Sequence, residues 1–147
     1  MFTGLIAELG TVERLAEDSM SCRLTVRAPK ILPGVKIGDS IAINGVCLTA
    51  TNISGNIVSF DISKETISVT AFSSLKQGQL VNLERAAKIN SRFDGHIVSG
   101  HIDGTGKISN ISKDGFSFTF EFSAPAEILK YIVKMLLQNM NASELCV

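Results

Sequence analysis

The sequence predicts an all-β protein, a small antiparallel barrel or sandwich built from two similar modules, the second of them incomplete. Short runs rich in Ile, Val, Thr and Phe are separated by clusters of Gly, Asn, Ser and Asp, which is typical of strands joined by tight turns. An internal repeat at an offset of 96 residues indicates the duplication. With 45% apolar residues, the chain of 147 residues has ample material for a buried core.

Seven stretches have the composition of strands: residues 3–15, 22–28, 40–52, 57–63, 80–85, 96–109 and 116–123. Alternation is clearest in "FSFTFEF", where Phe116, Phe118, Phe120 and Phe122 share one face and the polar residues share the other. The turns "ISGN" (53–56) and "KDG" (113–115) predict hairpins, because glycine supplies the positive φ that tight turns require.

One helix is predicted near the C-terminus, with Pro125 at its first position. Its apolar residues follow helical spacing: Ile128, Leu129, Ile132, Val133 and Leu136. A shorter helical turn is predicted to start at Pro29 and to stop at Pro33.

The repeat aligns each residue n with residue n+96. Gly4 meets Gly100, Gly10 meets Gly106, and "AP" at 28–29 meets "AP" at 124–125. Glycines and prolines at one fixed offset indicate similar backbone geometry, although chance similarity of two β-rich stretches is the alternative. The first-copy motif "NGVCLT" (44–49) should recur near residue 140, where "MNASEL" stands instead. We therefore predict one complete module, residues 1–92, and a partial second module, residues 93–147.

Composition argues against several classes of partner. Fourteen basic residues balance fourteen acidic ones, without a Lys/Arg run that would favour nucleic acid or an anionic membrane. No apolar run is long enough to span a bilayer, and the start lacks the positive region of a signal peptide. Three well-separated cysteines suit a reducing cytoplasm. No metal site is predicted, because His96 and His101 would point to opposite faces of one strand.

Five motifs, in order, resemble riboflavin synthase of the trimeric, two-barrel type, over the chain as far as about Val133. They are "MFTGLI" (1–6), "NGVCLTA" (44–50), "VSFDISKET" (58–66), "GQLVNLERAAK" (78–88) and "GHIVSGHIDGTG" (95–106). The resemblance implies tandem six-stranded antiparallel Greek-key barrels, the second incomplete here. It also implies a homotrimer in which each active site lies between the N-terminal barrel of one subunit and the C-terminal barrel of its neighbour.

The reaction implied by this resemblance consumes two molecules of 6,7-dimethyl-8-ribityllumazine. A four-carbon unit passes from one to the other, giving riboflavin and 5-amino-6-ribitylamino-uracil, without a metal or organic cofactor. Such chemistry needs a base, a nucleophile, donors to developing charge and two aligned rings. Ribityl hydroxyls need polar partners in a mostly apolar cleft.

The resemblance assigns catalytic roles to His101, Cys47 and Ser40. Each also has an ordinary structural interpretation: a satisfied sheet histidine, a small buried hydrophobe and a surface serine. The residues implied to contact substrate are Phe2, Thr3, Gly4, Leu5, Ile6, Cys47, Leu48, Thr49, Asp61, Ile62, Ser63, Lys64, Glu65, Thr66, Gly100, His101 and Ile102. For the segment 61–66 the alternative is a solvated turn, and for residues 2–6 it is packing at a barrel edge. The motif "LERAAK" (83–88) is interpreted as a strand end and linker without a chemical role.

After about Val133 the chain departs from the family pattern, and a shortened or frame-shifted gene product is one hypothesis for the divergent tail. An incomplete second barrel would leave the phenylalanine face uncovered and impair catalysis. The second functional hypothesis is a non-catalytic lumazine or flavin carrier on the same barrels. The third, a barrel of the OB type that binds single-stranded nucleic acid, is disfavoured by neutral charge and the absence of Trp.

Overall fold

The computed structural model describes residues 1–17, 21–88, 90 and 94–130, together with the backbone of 144–146. Six strands form a closed antiparallel barrel in the order β1-β2-β5-β4-β3-β6. They are β1 (Glu8–Glu17), β2 (Ser21–Arg27), β3 (Ser40–Ile43), β4 (Val46–Ser54), β5 (Ile57–Ser63) and β6 (Leu80–Arg85). After the consecutive strands β3, β4 and β5, β6 returns to lie beside β3, which is a Greek-key connection. The predicted all-β fold class is confirmed.

The barrel interior is filled by alternate residues of every strand, as the period of two requires. Leu24, Phe60 and Leu83, from β2, β5 and β6, are completely buried in one continuous apolar cluster. Between β5 and β6 the chain forms the helix α1 (Lys64–Val69) and a 3₁₀ helix, Ala71–Ser74. The buried side chain of Phe72 attaches this connection to the barrel core.

Beyond the barrel lies a three-stranded sheet in the order β8-β7-β9, formed by β7 (Thr105–Asp114), β8 (Ser117–Ser123) and β9 (Glu144–Cys146). The helix α2 (Ala126–Leu129) follows β8, and Pro125 is its N-cap rather than its first helical residue. The remainder of the predicted helix, from residue 131, lies outside the described residues. Among the helices described here, none is long and apolar enough to cross a membrane.

The duplication predicted from the sequence is present in the backbone. Gly4 and Gly100 have φ values of 80° and 78°. The strands β2 and β8 begin and end 96 residues apart. The β1–β2 ladder shifts register between Val12 and Arg14, and the β7–β8 ladder shifts between Ile108 and Asn110, at the equivalent positions. A β-bulge in the same place of both ladders requires a shared local geometry, which chance similarity does not explain.

The two copies also pair with each other through equivalent residues. Phe2 and Val98, which are 96 positions apart, form an isolated antiparallel bridge. The Phe2 N–H donates to the Val98 carbonyl at 2.7 Å, and the Val98 N–H donates back at 3.0 Å. Because a residue pairs with its own repeat equivalent, the contact between the two copies is approximately two-fold symmetric.

Three of the predicted strands were wrong in extent. The first begins at Glu8 rather than residue 3, and the sixth at Thr105 rather than residue 96, because the left-handed glycines 4 and 100 interrupt extended structure. The predicted strand 40–52 is two strands, β3 and β4, joined by a tight turn. Its central residues Asn44 and Gly45 have φ values of 49° and 87°, as a type I′ turn requires.

The helical turn predicted at Pro29 is present as a single turn. The Leu32 N–H donates to the Ala28 carbonyl at 3.4 Å, and residues 29–31 form the turn between them. The carboxylate of Glu8 accepts the backbone N–H groups of Lys30 and Ile31 at 2.9 and 2.7 Å. Glu8 is 8% exposed, so this buried acid satisfies N–H groups that a first helical turn leaves without an intrahelical partner.

Candidate functional site

The outer face of the β3–β4 hairpin carries the polar candidates. Ser40 lies opposite Thr49, and Ala42 lies opposite Cys47. These four residues face away from the barrel core, whereas their neighbours Ile41 and Leu48 are buried within it.

The barrel wall separates beside this hairpin. Pairing between β4 and β5 ends at Ala50 and Phe60. Residues 46–49 of β4 pair with β3 on their other side, and residues 61–63 of β5 pair with β2, but these two segments do not pair with each other. We call the space between residues 46–49 and residues 61–63 the wedge, because neighbouring strands of the closed barrel part there.

A loop of the second copy, residues 99–102, docks at the wedge, and we call it the Gly100 loop. The N–H of Cys47 points away from β3 and donates to the carbonyl of Gly100 at 2.8 Å. Two residues later, Ile102 packs against the core cluster of the first barrel. His101 lies between them on the exposed side, and its own N–H donates to the Ser99 hydroxyl at 3.2 Å. The loop therefore takes part of the place that β5 would occupy in a fully paired wall.

Gly100 is in close contact with both the barrel and the N-terminal segment, by which we mean residues 2–4. A Cβ atom at this position would lie 2.8 Å from the Cβ of Cys47 and 3.0 Å from the Cε2 of Phe2. Phe2 is 1% exposed, although it does not belong to the barrel core cluster. The phenylalanine is thus buried between the two repeats, next to the candidate cysteine.

The N-terminal segment is anchored by Glu84 on β6. Its carboxylate accepts the hydroxyl of Thr3 at 2.7 Å, the N–H of Thr3, and the N–H of Gly4 at 3.0 Å. Leu5 and Ile6 follow as exposed residues. They are the repeat equivalents of His101 and Ile102.

The opposite side of the wedge is polar and is formed by the end of β5 and by α1. The Ser63 hydroxyl accepts the N–H of Thr66 at 3.0 Å and so caps α1. Asp61 is exposed and receives two hydrogen bonds from Arg23, at 2.7 and 3.2 Å. These bonds hold the pKa of the Asp61 carboxyl below its ordinary value. Lys64 and Glu65 project from the first turn of α1 into solvent.

Of the predicted site residues, the structure brings Phe2, Cys47, Gly100 and Ile102 together where the repeats meet. Leu48 and Ile62 instead point into the barrel core. The exposed imidazole of His101 has no hydrogen-bond partner among the described residues. Across the described ranges, no three His, Cys, Asp or Glu side chains are grouped as metal ligands.

Sequence reasoning missed Glu84, which was interpreted as part of a strand end and linker. The available signal was weak. Alternation along β6 places Glu84 on the outer face, opposite the apolar residues Val81 and Leu83 that face inward. An outward carboxylate normally faces solvent, and only the fold shows that the N-terminal segment covers it.

The fold and site define a duplicated antiparallel-barrel protein with an opening in the first barrel that a loop of the second copy borders. Residues 3–86 match the family model described as "Lumazine binding domain". The chain belongs to this family.

Three relatives extend the likeness beyond the first barrel, and each carries the name riboflavin synthase. The protein from Bacillus amyloliquefaciens is 42% identical over 133 residues, and that from Bacillus subtilis is 41% identical over 133 residues. The Mycobacterium bovis protein is 38% identical over 136 residues. The matches cover 90–91% of this chain but only 62%, 62% and 67% of the relatives.

Solved structures of a protein named LumP are similar to this fold. The complex of LumP with riboflavin matches with a TM-score of 0.80 and 29% identity, over 90% of this chain and 72% of LumP. The complex with 6,7-dimethyl-8-(1'-D-ribityl) lumazine matches with a TM-score of 0.77 and 30% identity, over 86% of this chain and 71% of LumP.

Proposed function

We propose that this chain binds 6,7-dimethyl-8-ribityllumazine at the wedge of the first barrel. The observation that carries the proposal is the hydrogen bond from the Cys47 N–H to the Gly100 carbonyl. This bond brings the second-copy loop to the same opening that residues 46–49 and 61–63 border. The family match, the names of the relatives and the ligand-bound LumP structures support a ligand of this class.

The wedge offers the two kinds of contact that a ribityl-lumazine needs. Ile102 is only partly buried and presents an apolar surface for a flat ring. Residues at and beside the two sides of the wedge carry hydroxyl and carboxylate groups, which can pair with ribityl hydroxyls. The polar groups in this proposal are Ser40, Thr49, Asp61, Ser63 and Thr66.

We further propose that the bound lumazine takes part in the four-carbon transfer implied by the resemblance. One lumazine loses a proton from a ring methyl group while a nucleophile adds to the ring of the other. Four carbon atoms then pass between the rings, and the products are riboflavin and 5-amino-6-ribitylamino-uracil. His101, as base, and Cys47 and Ser40, as nucleophile or hydrogen-bond donor, are the proposed participants.

The arrangement of modules and subunits is part of the same proposal. We place the boundary between the modules at residues 92 and 93, and we propose self-association, with the homotrimer of the resembled family as the specific expectation. Sedimentation velocity tests this assembly, since a trimer has three times the mass of the 15.8 kDa chain.

A carrier that binds lumazine or flavin without turnover is the second candidate. The observation in its favour is the likeness to LumP, of which this chain covers a larger share than it covers of any of the three synthases cited above. One assay separates the candidates: purified protein is mixed with 6,7-dimethyl-8-ribityllumazine while ligand fluorescence and riboflavin absorbance are followed. Binding with turnover supports the synthase, binding without turnover supports the carrier, and no binding refutes both.

A further inference from the structure

Building on the proposed function, we infer that Glu84 is a positioning residue for the ligand site. Its carboxylate fixes the N-terminal segment, and this segment holds Phe2 and the Gly100 loop against Cys47. Glu84 itself borders neither side of the wedge, so its effect on ligand binding is indirect.

The position of Glu84 on the barrel explains how it acts. Ala42 on β3 pairs with Glu84 on one side and with Cys47 on the other. The three residues therefore form one row across β6, β3 and β4, on the outer face of the barrel. Glu84 and Cys47 are two strand spacings apart, about 10 Å. The N-terminal segment bridges this distance, with Thr3 at Glu84 and Phe2 near Cys47.

The contacts of Glu84 are those of an anchor. It is 7% exposed, and three hydrogen bonds from Thr3 and Gly4 occupy both of its oxygens. Hydrogen bonds to a buried carboxylate are stronger than those between neutral groups.

The anchored segment in turn holds the second copy. The Thr3 carbonyl accepts the N–H of His96 at 2.9 Å, and Phe2 exchanges two hydrogen bonds with Val98. Residues 96–98 lead directly into the Gly100 loop. Loosening Thr3 therefore loosens the segment that places Gly100, His101 and Ile102 at the wedge.

The second copy shows that the local turn does not need the glutamate. Ser99 is the repeat equivalent of Thr3, and each hydroxyl accepts the N–H two residues further on, from His101 at 3.2 Å and from Leu5 at 3.4 Å. Of these two hydroxyls, only that of Thr3 also donates to a carboxylate among the described residues. Glu84 thus links the turn at Thr3 and Gly4 to the barrel by hydrogen bonds that the second-copy turn does not have among the described residues.

The test replaces Glu84 with glutamine, which keeps the size of the side chain. The amide NH₂ then faces one of the N–H donors of Thr3 or Gly4, so a hydrogen bond becomes a repulsive contact. The matched control is Glu8→Gln. Glu8 is 8% exposed and also accepts two backbone N–H groups in the same barrel, but it holds residues 30 and 31 rather than the N-terminal segment.

Two readouts are measured. The first is affinity for 6,7-dimethyl-8-ribityllumazine: we expect Glu84→Gln to weaken binding at least about fivefold, and Glu8→Gln to change it less than about twofold. The second is the alkylation rate of Cys47 in a Cys146→Ser background, which we expect to rise in Glu84→Gln only. Cys22 does not interfere, because it is buried and burial raises the pKa of its thiol.

Thr3→Val serves as a further variant. Valine removes one bond to Glu84 and leaves the carboxylate in place, so we expect a smaller effect in the same direction on the alkylation rate of Cys47. Unchanged affinity and unchanged Cys47 alkylation in Glu84→Gln, or equal changes in Glu8→Gln, would overturn the inference. Absence of ligand binding by the wild-type chain would instead refute the proposed function, and the alkylation rates would still decide the role of Glu84.

Discussion

Gly4 and Gly100 occupy the same position of the repeat and have nearly the same φ, but their surroundings differ. Nothing lies within 4 Å of a Cβ built at Gly4, whereas a Cβ at Gly100 would overlap Cys47 and Phe2. Backbone strain alone costs about 1–2 kcal/mol for an alanine in this conformation. The same substitution at the two glycines therefore separates the cost of backbone strain from the cost of close packing.

We expect Gly4→Ala to lower the free energy of unfolding by about 1 kcal/mol and Gly100→Ala by about 2–4 kcal/mol, because overpacking adds to the strain. Urea denaturation measures both. Equal losses would contradict the close contact between the copies.

Asp61 gives the site a pH-dependent component of stability. The pKa of its carboxyl is lowered from 3.8, mainly by the hydrogen bonds from Arg23. A lowered pKa in the folded state stabilises the protein above the ordinary pKa, and this stabilisation is lost as the pH falls below it. Because both partners are exposed, water screens their interaction and the contribution to stability is small.

We expect Asp61→Asn to be less stable than the wild type at about pH 6 and to approach it at about pH 2. Chemical denaturation at both pH values measures the difference. Arg23→Gln should show the same loss at the higher pH, and a difference that grows on acidification would be inconsistent with the ion pair.

At the scale of elements, β8 is an edge strand of the described sheet and carries apolar side chains. Among the described strands it pairs with β7 alone, whereas its repeat equivalent β2 lies between β1 and β5. Phe116, at the turn before β8, is fully exposed. Such a segment promotes association between chains.

We expect Phe116→Ser to change the free energy of unfolding by less than about 0.5 kcal/mol while slowing aggregation. Light scattering and urea denaturation measure the two effects. A loss of more than about 1 kcal/mol would show that this side chain is covered in solution.

Elements with a strong period of two could be predicted from the sequence, and two strands, β5 and β6, have the predicted boundaries. The errors lie where tertiary contacts decide. Residues 2–3 and 96–98 pair with each other instead of extending β1 and β7. The helix α1 was missed, since six residues capped by Ser63 carry too short a pattern for a helical period.

At the scale of the whole molecule, the two copies differ in how much they bury. The first barrel encloses a continuous core, whereas β8 has no fully buried residue and β7 has only Gly106. Local stability follows such differences in burial.

Hydrogen exchange should therefore separate the copies. We expect the amides of β2, β4 and β5 to be protected at least about 100-fold more strongly than those of β7 and β8. Mass spectrometry of exchanged peptides measures this, and equal protection would indicate that β7 and β8 are covered in solution.

The duplication and the family were predictable from the sequence because glycines, prolines and motifs recur at fixed spacing. It was only partly predictable that the two motifs of the site lie next to each other. Motifs containing Cys47 and His101 were identified, but the hydrogen bond between Cys47 and Gly100 depends on how the two copies dock. Glu84 could not be identified, because the sequence does not show which segment covers an outward carboxylate.

The most direct test of the central claim is a titration of ¹⁵N-labelled protein with 6,7-dimethyl-8-ribityllumazine, followed by amide chemical shifts. We predict that the largest changes fall together on residues 47–49, 61–66 and 100–102. Changes confined to other faces of the barrel, or none at saturating ligand, would contradict a lumazine site at the wedge.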